Sequence, residues 1–387
     1  MWRDITRPPQ GSGMIFVNAF AFAILASCLF ATVLVLTRHL HGHLTLDSQV
    51  GVQKLHAVPT PRVGGLALMV GALAGGFALP DGGRELWWMI CLAAIPAFAS
   101  GLIEDVTKRV GVRTRLLATI LSGLIFCLLS GYAIRGVDLP GVDMLLAIGP
   151  IAVLFTAFAI GGIANALNII DGVNGLASGT AIIILAGFGL IAWQTGDTAI
   201  MGVCLVAIGA IAGFFLLNYP LGLIFFGDAG AYGTGYLLAV LAVALPARNP
   251  EISPIIGILL LAYPMIETFV SIHRRTVRTG SHPGQPDRLH LHSLVYRSLA
   301  RRIARGLGRP QLRNPVASTI LWAFPLLSTV LAVFCAKSSL AIWGALLVVA
   351  CCYLLLYRRV ALLRGRGGNG PSGRNIRPHH PAAHPAE

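Results

Sequence analysis

The chain has 387 residues, of which 56% are hydrophobic and only 11% charged. With a mean hydropathy of +0.76, it lies outside the range of water-soluble globular domains. The net charge of +14 would suit nucleic acid, but the basic residues sit in short loops between apolar runs, as membrane topology distributes them, so nucleic acid is excluded as a partner.

Residues 1–13 form a short polar segment, expected outside the membrane. The first span is read at Met14–Thr37; it exceeds twenty residues and no small-residue cleavage site follows, so it reads as retained rather than as a cleaved signal. Further apolar runs of spanning length fall near 65–80, 86–103, 115–134, 144–163, 175–193, 198–217, 230–246, 252–272, 316–335 and 340–357. These runs do not alternate apolar and polar positions, which excludes a transmembrane barrel. The expected fold is therefore all-α: a polytopic bundle of about eleven transmembrane helices forming one domain over residues 14–357. Loops 38–62, 104–115, 164–174, 218–229 and 273–315, with the tail from 358, carry 23 Lys and Arg residues against six on the other side. The first set is placed in the cytoplasm, with the N-terminus outside and the C-terminus inside. The tail 358–387 is rich in Gly, Pro, Arg and His and is expected to be disordered. The seven cysteines lie inside apolar runs without metal-ligand spacing and read as packing residues.

Polar chemistry gathers on the predicted inner side. Lys54, His56 and Arg62, in a loop stiffened by prolines before Gly64 and Gly65, offer donors to phosphate oxygens, or serve topology alone. Glu104 and Asp105 end the third span; adjacent carboxylates at a membrane edge repel, which suits a shared cation or proton, or else the cations that follow. Asn165, Asn168 and Asp171 are spaced three apart at the end of a span, with Asn174 just beyond. So many polar groups at a membrane helix mouth are costly unless they bind something, the alternative being a polar cap and loop. Asp228 lies between Gly227 and the Ala229-Gly230 pair, as an N-cap or as a hard oxygen ligand for Mg²⁺. Glu267, one turn after Pro264, is an intramembrane acid and a functional candidate or a buried hydrogen-bond partner. Asp287, Arg288, His290 and His292 stand in the long loop, where phosphate contact is favoured over a zinc site because no third ligand lies near. Leu291, Leu294, Val295, Leu299 and Ile303 then form a helical stripe opposite Arg297, Arg301, Arg302 and Arg305, an interfacial helix able to lie near anionic lipid head groups.

The order K-x-H-x-x-P-T-P-R-x-G-G, G-L-I-E-D, N-x-x-N-x-x-D-G-x-N-G-L-A, F-x-G-D-x-G and P-x-x-E-T…P-D-R-x-H-x-H, from Lys54 to His292, resembles the polyprenyl-phosphate N-acetylhexosamine-1-phosphate transferases. His290-Leu291-His292 departs from the three consecutive histidines usual in the branch that transfers phospho-N-acetylmuramoyl-pentapeptide. It is more similar to the branch acting on UDP-N-acetylglucosamine. The resemblance implies transfer of a sugar-1-phosphate from a UDP-N-acetylhexosamine to undecaprenyl phosphate, with release of UMP and with Mg²⁺ (Mn²⁺ as alternative), at the cytoplasmic face of a bacterial inner membrane. It implies Asp228 and Asp171 as metal ligands, Asp105 with Glu104 at the lipid phosphate, and Asn165, Asn168 and Asp171 around the nucleotide. Lys54, Arg62, His290 and His292 would hold phosphates or the sugar. Glu104 stands where the family usually has the first of two aspartates, which leaves a strict metal role there in question. The pentapeptide branch is the alternative activity and a polytopic transporter the alternative class; membrane lipid is the surrounding partner, and a homodimer is open.

Overall fold

A computed structural model describes residues 12–46, 60–279 and 289–366. Lys54, His56, Asp287, Arg288, residues 1–11 of the polar N-terminal segment and the tail beyond 366 lie outside the described residues. The helices in order are α1 (Ser12–Leu36), α2 (Arg38–Thr45), α3 (Gly64–Phe77), α4 (Asp81–Thr107), α5 (Val112–Ser130), α6 (Pro140–Leu146), α7 (Gly149–Ile170), α8 (Leu176–Thr195) and α9 (Thr198–Asn218). They continue with α10 (Gly227–Arg248), α11 (Ile256–Leu260), α12 (Ala262–Arg274), α13 (Leu291–Val295), α14 (Arg301–Gly306), α15 (Arg313–Leu321), α16 (Ala323–Cys335) and α17 (Ser339–Arg366). Among the described residues, nine helical stretches are long and apolar enough to cross a membrane, and Gly64–Phe77 is a shorter apolar helix. The chain is a polytopic helical membrane protein.

The sequence-based spans fall on these helices, with three informative shifts. The run read at 144–163 becomes two helices, because Gly149-Pro150 starts α7 afresh: proline fits the first helical turn, where its missing N–H is not needed. The run read at 252–272 is broken between α11 and α12 at Leu261. At the far end α17 continues to Arg366, so the first part of the segment expected to be disordered is helical. Nothing between Arg358 and Leu363 breaks a helix, and Arg, Ala and Leu favour one.

α10 is the axis of the bundle. It packs against α4, α7, α3 and α8, and 83% of its spanning window is buried, against 22% for α17. Small residues make that possible. A Cβ on Gly235 would sit 2.8 Å from the Ala164 Cα of α7. Lipid tails are as apolar as leucine, so close backbone approach and dispersion contacts carry much of the helix association. Around this axis, the start of α10 meets the ends of α4 and α7, the segment before α3 and the first turn of α5. Its other end, at Arg248, meets the α8–α9 corner.

Candidate active site

The site is built on the first turn of α10. Gly227 has φ +75°, a left-handed conformation that costs a side-chain-bearing residue energy, and it turns the chain into the helix. The next two N–H groups, of Asp228 and Ala229, have no partner within the helix. Asp105, at the end of α4 and fully buried, supplies it: its two oxygens accept them at 2.8 and 3.0 Å. A carboxylate capping a helix start also meets the positive end of the helix dipole. The approach requires Gly101, where a Cβ would lie 2.5 Å from the Ala229 nitrogen.

Asp228 then projects from this anchored turn. It is buried, and its Oδ1 accepts from Asn168 Nδ2 at 3.1 Å and lies 3.5 Å from Arg62 Nη2. Oδ2 pairs with Arg115 Nη1. Arg62 also stands 3.7 Å from Asp105. Its place is fixed by main-chain bonds between two distant segments: Phe225 N–H donates to Pro61 O at 2.8 Å, and Gly64 and Gly65 N–H donate to Phe225 and Phe226 O at 3.0 Å. Asp171, half-buried just past the end of α7, completes the group. Burial, then the charges of Asp228 and Asp105, push its carboxyl from 3.8 up to about 7, with Arg62 opposing. When Asp171 is ionised, three carboxylates against two guanidiniums leave an excess of negative charge.

That excess, and the hard oxygens of Asp228, Asp171 and the Asn168 amide, fit Mg²⁺ or Mn²⁺. Among the described residues, no three His, Cys, Asp or Glu side chains group closely enough to hold a metal ion. An incomplete protein shell is what Mg²⁺ takes when substrate phosphates and waters supply the other ligands. Asp105, with both oxygens engaged by main-chain N–H groups, is not part of that donor set.

The other candidates divide. Glu104, half-buried, turns away from Asp105 and accepts the Val110 N–H at 2.7 Å, so the two adjacent acids do not share a cation. Asn165 faces α5, donating to Thr119 Oγ1 at 3.1 Å and to Gly161 O at 2.8 Å. Asn174 is buried, with its N–H on Asn314 Oδ1 at 2.7 Å and its carbonyl accepting from Ser318 at 2.6 Å. It braces the turn after Asp171 from below.

His290 and His292 are buried, with rings stacked 5.4 Å apart. His292 occupies the space where a side chain on Gly172 would be, beside Asp171. Glu267 is fully buried behind them, its carboxylate accepting from His290 Nδ1, the Leu291 N–H and the Tyr353 hydroxyl. The stripe expected to rest on the bilayer surface divides: Leu291, Leu294 and Val295 are buried in the bundle and Leu299 is half-buried, while Ile303 is exposed together with Arg301, Arg302 and Arg305. The buried part is α13, whose apolar side packs against α15 and α17.

Sequence reasoning missed Arg115. It was counted only toward topology, and nothing local marks it. Its pairing with Asp228 and its position over the Tyr232 ring, 5.9 Å from the centroid, exist only once α5 and α10 are packed.

Residues 87–246 match the model of the glycosyl transferase family 4, a segment that contains Asp105, Arg115, Asn168, Asp171 and Asp228. The chain is 29% identical over 242 residues to a probable undecaprenyl-phosphate N-acetylglucosaminyl 1-phosphate transferase of Bacillus subtilis, covering 62% of this chain and 66% of that protein, just under two thirds of its length. It is 26% identical over 285 residues to the undecaprenyl-phosphate alpha-N-acetylglucosaminyl 1-phosphate transferase of Escherichia coli K12, covering 71% and 76%. The Salmonella typhi protein of the same name is 27% identical over the same coverage.

Proposed function

We propose that this chain acts as a member of the glycosyl transferase family 4, whose model it matches over residues 87–246, and that it transfers N-acetylglucosamine-1-phosphate from UDP-N-acetylglucosamine to undecaprenyl phosphate, releasing UMP. The observation that carries the reading is the convergence of Asp228, Asp171, Asn168, Arg62 and Arg115 at the start of α10. These are the groups needed to receive a metal-bound diphosphate. Counting the nine spanning helices among the described residues with Gly64–Phe77 and the broken α11–α12 pair would give eleven crossings. The Lys and Arg distribution supports a site at the cytoplasmic face of the inner membrane, with the N-terminus outside. The product would start a lipid-linked envelope glycan.

In this reaction an oxygen of the lipid phosphate bonds to the sugar-bearing phosphorus of the diphosphate. The bond to the bridging oxygen breaks, and that oxygen leaves with UMP. Such transfers depend mainly on positioning and charge neutralisation. Asp228, Asp171 and Asn168 would hold Mg²⁺, which would supply charge to offset the diphosphate and departing UMP. Arg62 and Arg115 are guanidinium forks suited to phosphate oxygens. The lipid phosphate has a second pKa near ~6, so at neutral pH it needs no strong base. Asp105 acts by holding Asp228 in place. His290-Leu291-His292 in place of three histidines, with the names of the relatives, favours N-acetylglucosamine over the pentapeptide-bearing sugar.

A donor panel tests this reading. Purified protein in detergent with undecaprenyl phosphate and Mg²⁺ is expected to release UMP from UDP-N-acetylglucosamine, and to stop when EDTA is added. Release from UDP-N-acetylmuramoyl-pentapeptide alone, or from no UDP-N-acetylhexosamine, would overturn it.

A further inference from the structure

Glu267 raises a question that the transfer reaction leaves open. It is fully buried, on α12, and α12 supplies no other acid. An ionisable group inside a membrane bundle persists when it is fully paired and does something there. Its pairing is complete. Oε1 accepts from His290 Nδ1 at 2.9 Å and from the Leu291 N–H at 3.1 Å, and Oε2 accepts from the Tyr353 hydroxyl at 2.7 Å. A side chain this enclosed does not reach a substrate. What it does reach is segment 289–293, which brings His292 against Gly172 beside Asp171, with His290 stacked on it.

The bracing extends outward. Tyr353 is itself held in a row of rings: Tyr263 stacks on Phe324 at 5.7 Å, Phe324 tilts on Tyr353 at 5.7 Å, and Tyr353 stacks on Tyr357 at 6.2 Å. Tyr357 accepts from Arg274 Nη1 at 2.7 Å, and the same nitrogen donates to Leu289 O at 3.1 Å. Helices α12 and α17 thus grip residues 289–291 through both main chain and side chain, with α16 backing Tyr353 through Phe324. Because a carboxylate only accepts, His290 Nδ1 must carry the hydrogen in its bond to Glu267. Nε2 is then the ring atom on the far side, 3.3 Å from Arg275 Nη2. A carboxylate that sets the tautomer and ring direction of a histidine is a recurring way to orient a working imidazole.

We infer that Glu267 is a positioning residue of the transfer site: with Tyr353 it fixes His290 in one tautomer and orientation, and through His290 it seats His292 against the Gly172 turn beside the sugar-nucleotide site. The inference rests on the transferase reading for what the histidines meet, and on the geometry alone for how they are held. It assigns to the last helix, α17, which lies outside the family-matched segment, a part in the site.

Two measurements on the full-length protein in detergent test it. The first is ¹⁵N-histidine NMR, which needs no turnover. Wild type is expected to show a hydrogen-bonded Nδ1–H resonance that His290→Ala removes, Glu267→Gln shifts and Glu267→Leu abolishes. If Glu267→Leu leaves that resonance where it was, the link is wrong. The second is a double-mutant cycle on UMP release. Glu267→Leu and His290→Ala are each expected to cost roughly tenfold to hundredfold in kcat/KM, the range for losing a partner that orients a working histidine. Combined, they should cost no more than the larger of the two, within about twofold. Glu267→Gln, whose amide oxygen can still accept from His290 and Leu291 while its NH₂ faces the Tyr353 oxygen, should recover most of the loss. Multiplying losses, or equal losses in Gln and Leu, would make Glu267 a general structural residue and overturn the inference. If wild type releases no UMP from any donor, the transferase reading fails by itself, and the NMR result still decides whether Glu267 fixes His290.

Discussion

A carboxylate that accepts two main-chain N–H groups, as Asp105 does from Asp228 and Ala229, holds a helix start in place, whereas Asp228, bonded only to side chains at its carboxylate, can exchange those partners for a ligand. The two aspartates therefore respond differently to the same substitution. Asp105→Asn puts an NH₂ group against a main-chain donor; it is expected to lower the thermal midpoint in detergent, by the ~1–2 kcal/mol of a lost cap, together with UMP release. Asp228→Asn should leave the midpoint unchanged or higher, because it removes one of the charges that push Asp171 up, while cutting turnover by on the order of a hundredfold or more. Equal thermal midpoints for wild type and Asp105→Asn would contradict the capping role. Arg115→Ala is expected to weaken UDP-sugar binding, read as a higher KM, with Arg115→Lys only a partial rescue, since an ammonium keeps the charge but lacks the planar fork. Asp105, Asp171 and Asp228 could be nominated from type and spacing alone. Arg115 could not, because what makes it part of the site is the packing of α5 against α10.

At the scale of elements, close approach decides whether the site forms. α4 touches the start of α10 at Gly101, so Gly101→Ala is expected to push the two apart and cost about 1–3 kcal/mol, with a loss of turnover larger than that of Gly162→Ala, where a Cβ meets nothing within 4 Å. The opposite end of the bundle has its own clasp. Asp197 caps α9 through the Ile200 N–H at 3.1 Å and pairs with Arg248 at 2.7 and 3.0 Å and with Asn249 at 3.2 Å. Burial opposes the ionised form, but the Arg248, Ile200 and Asn249 contacts outweigh it and hold this carboxyl below its ordinary 3.8. A depressed carboxyl contributes stability above its unfolded value and loses it as pH falls through the folded one. The midpoint difference between wild type and Asp197→Ala should therefore be full at neutral pH and shrink below about pH 4; a constant difference would contradict it. The helices themselves were legible because apolar runs of spanning length have few other uses. The break at Leu261 and the burial of Leu291, Leu294 and Val295 were not, since both depend on what α15, α16 and α17 bring against them.

For the whole molecule, acids and amides separated by more than a hundred positions, as Asp105 and Asp228 are, meet at one end of a single bundle. The motif order from Lys54 to His292 pointed to that end. The main-chain lacing of residues 61–65 to 225–226 that makes it one site has no sequence signal, since it uses only main-chain groups and small residues. The account turns on Asp228 as the group around which the transfer is organised. The most direct measurement is UMP release from UDP-N-acetylglucosamine with undecaprenyl phosphate and Mg²⁺, comparing purified wild type with Asp228→Asn at matched thermal midpoints. The expected result is Mg²⁺-dependent release by wild type and none above background by the variant; comparable release by both would contradict it.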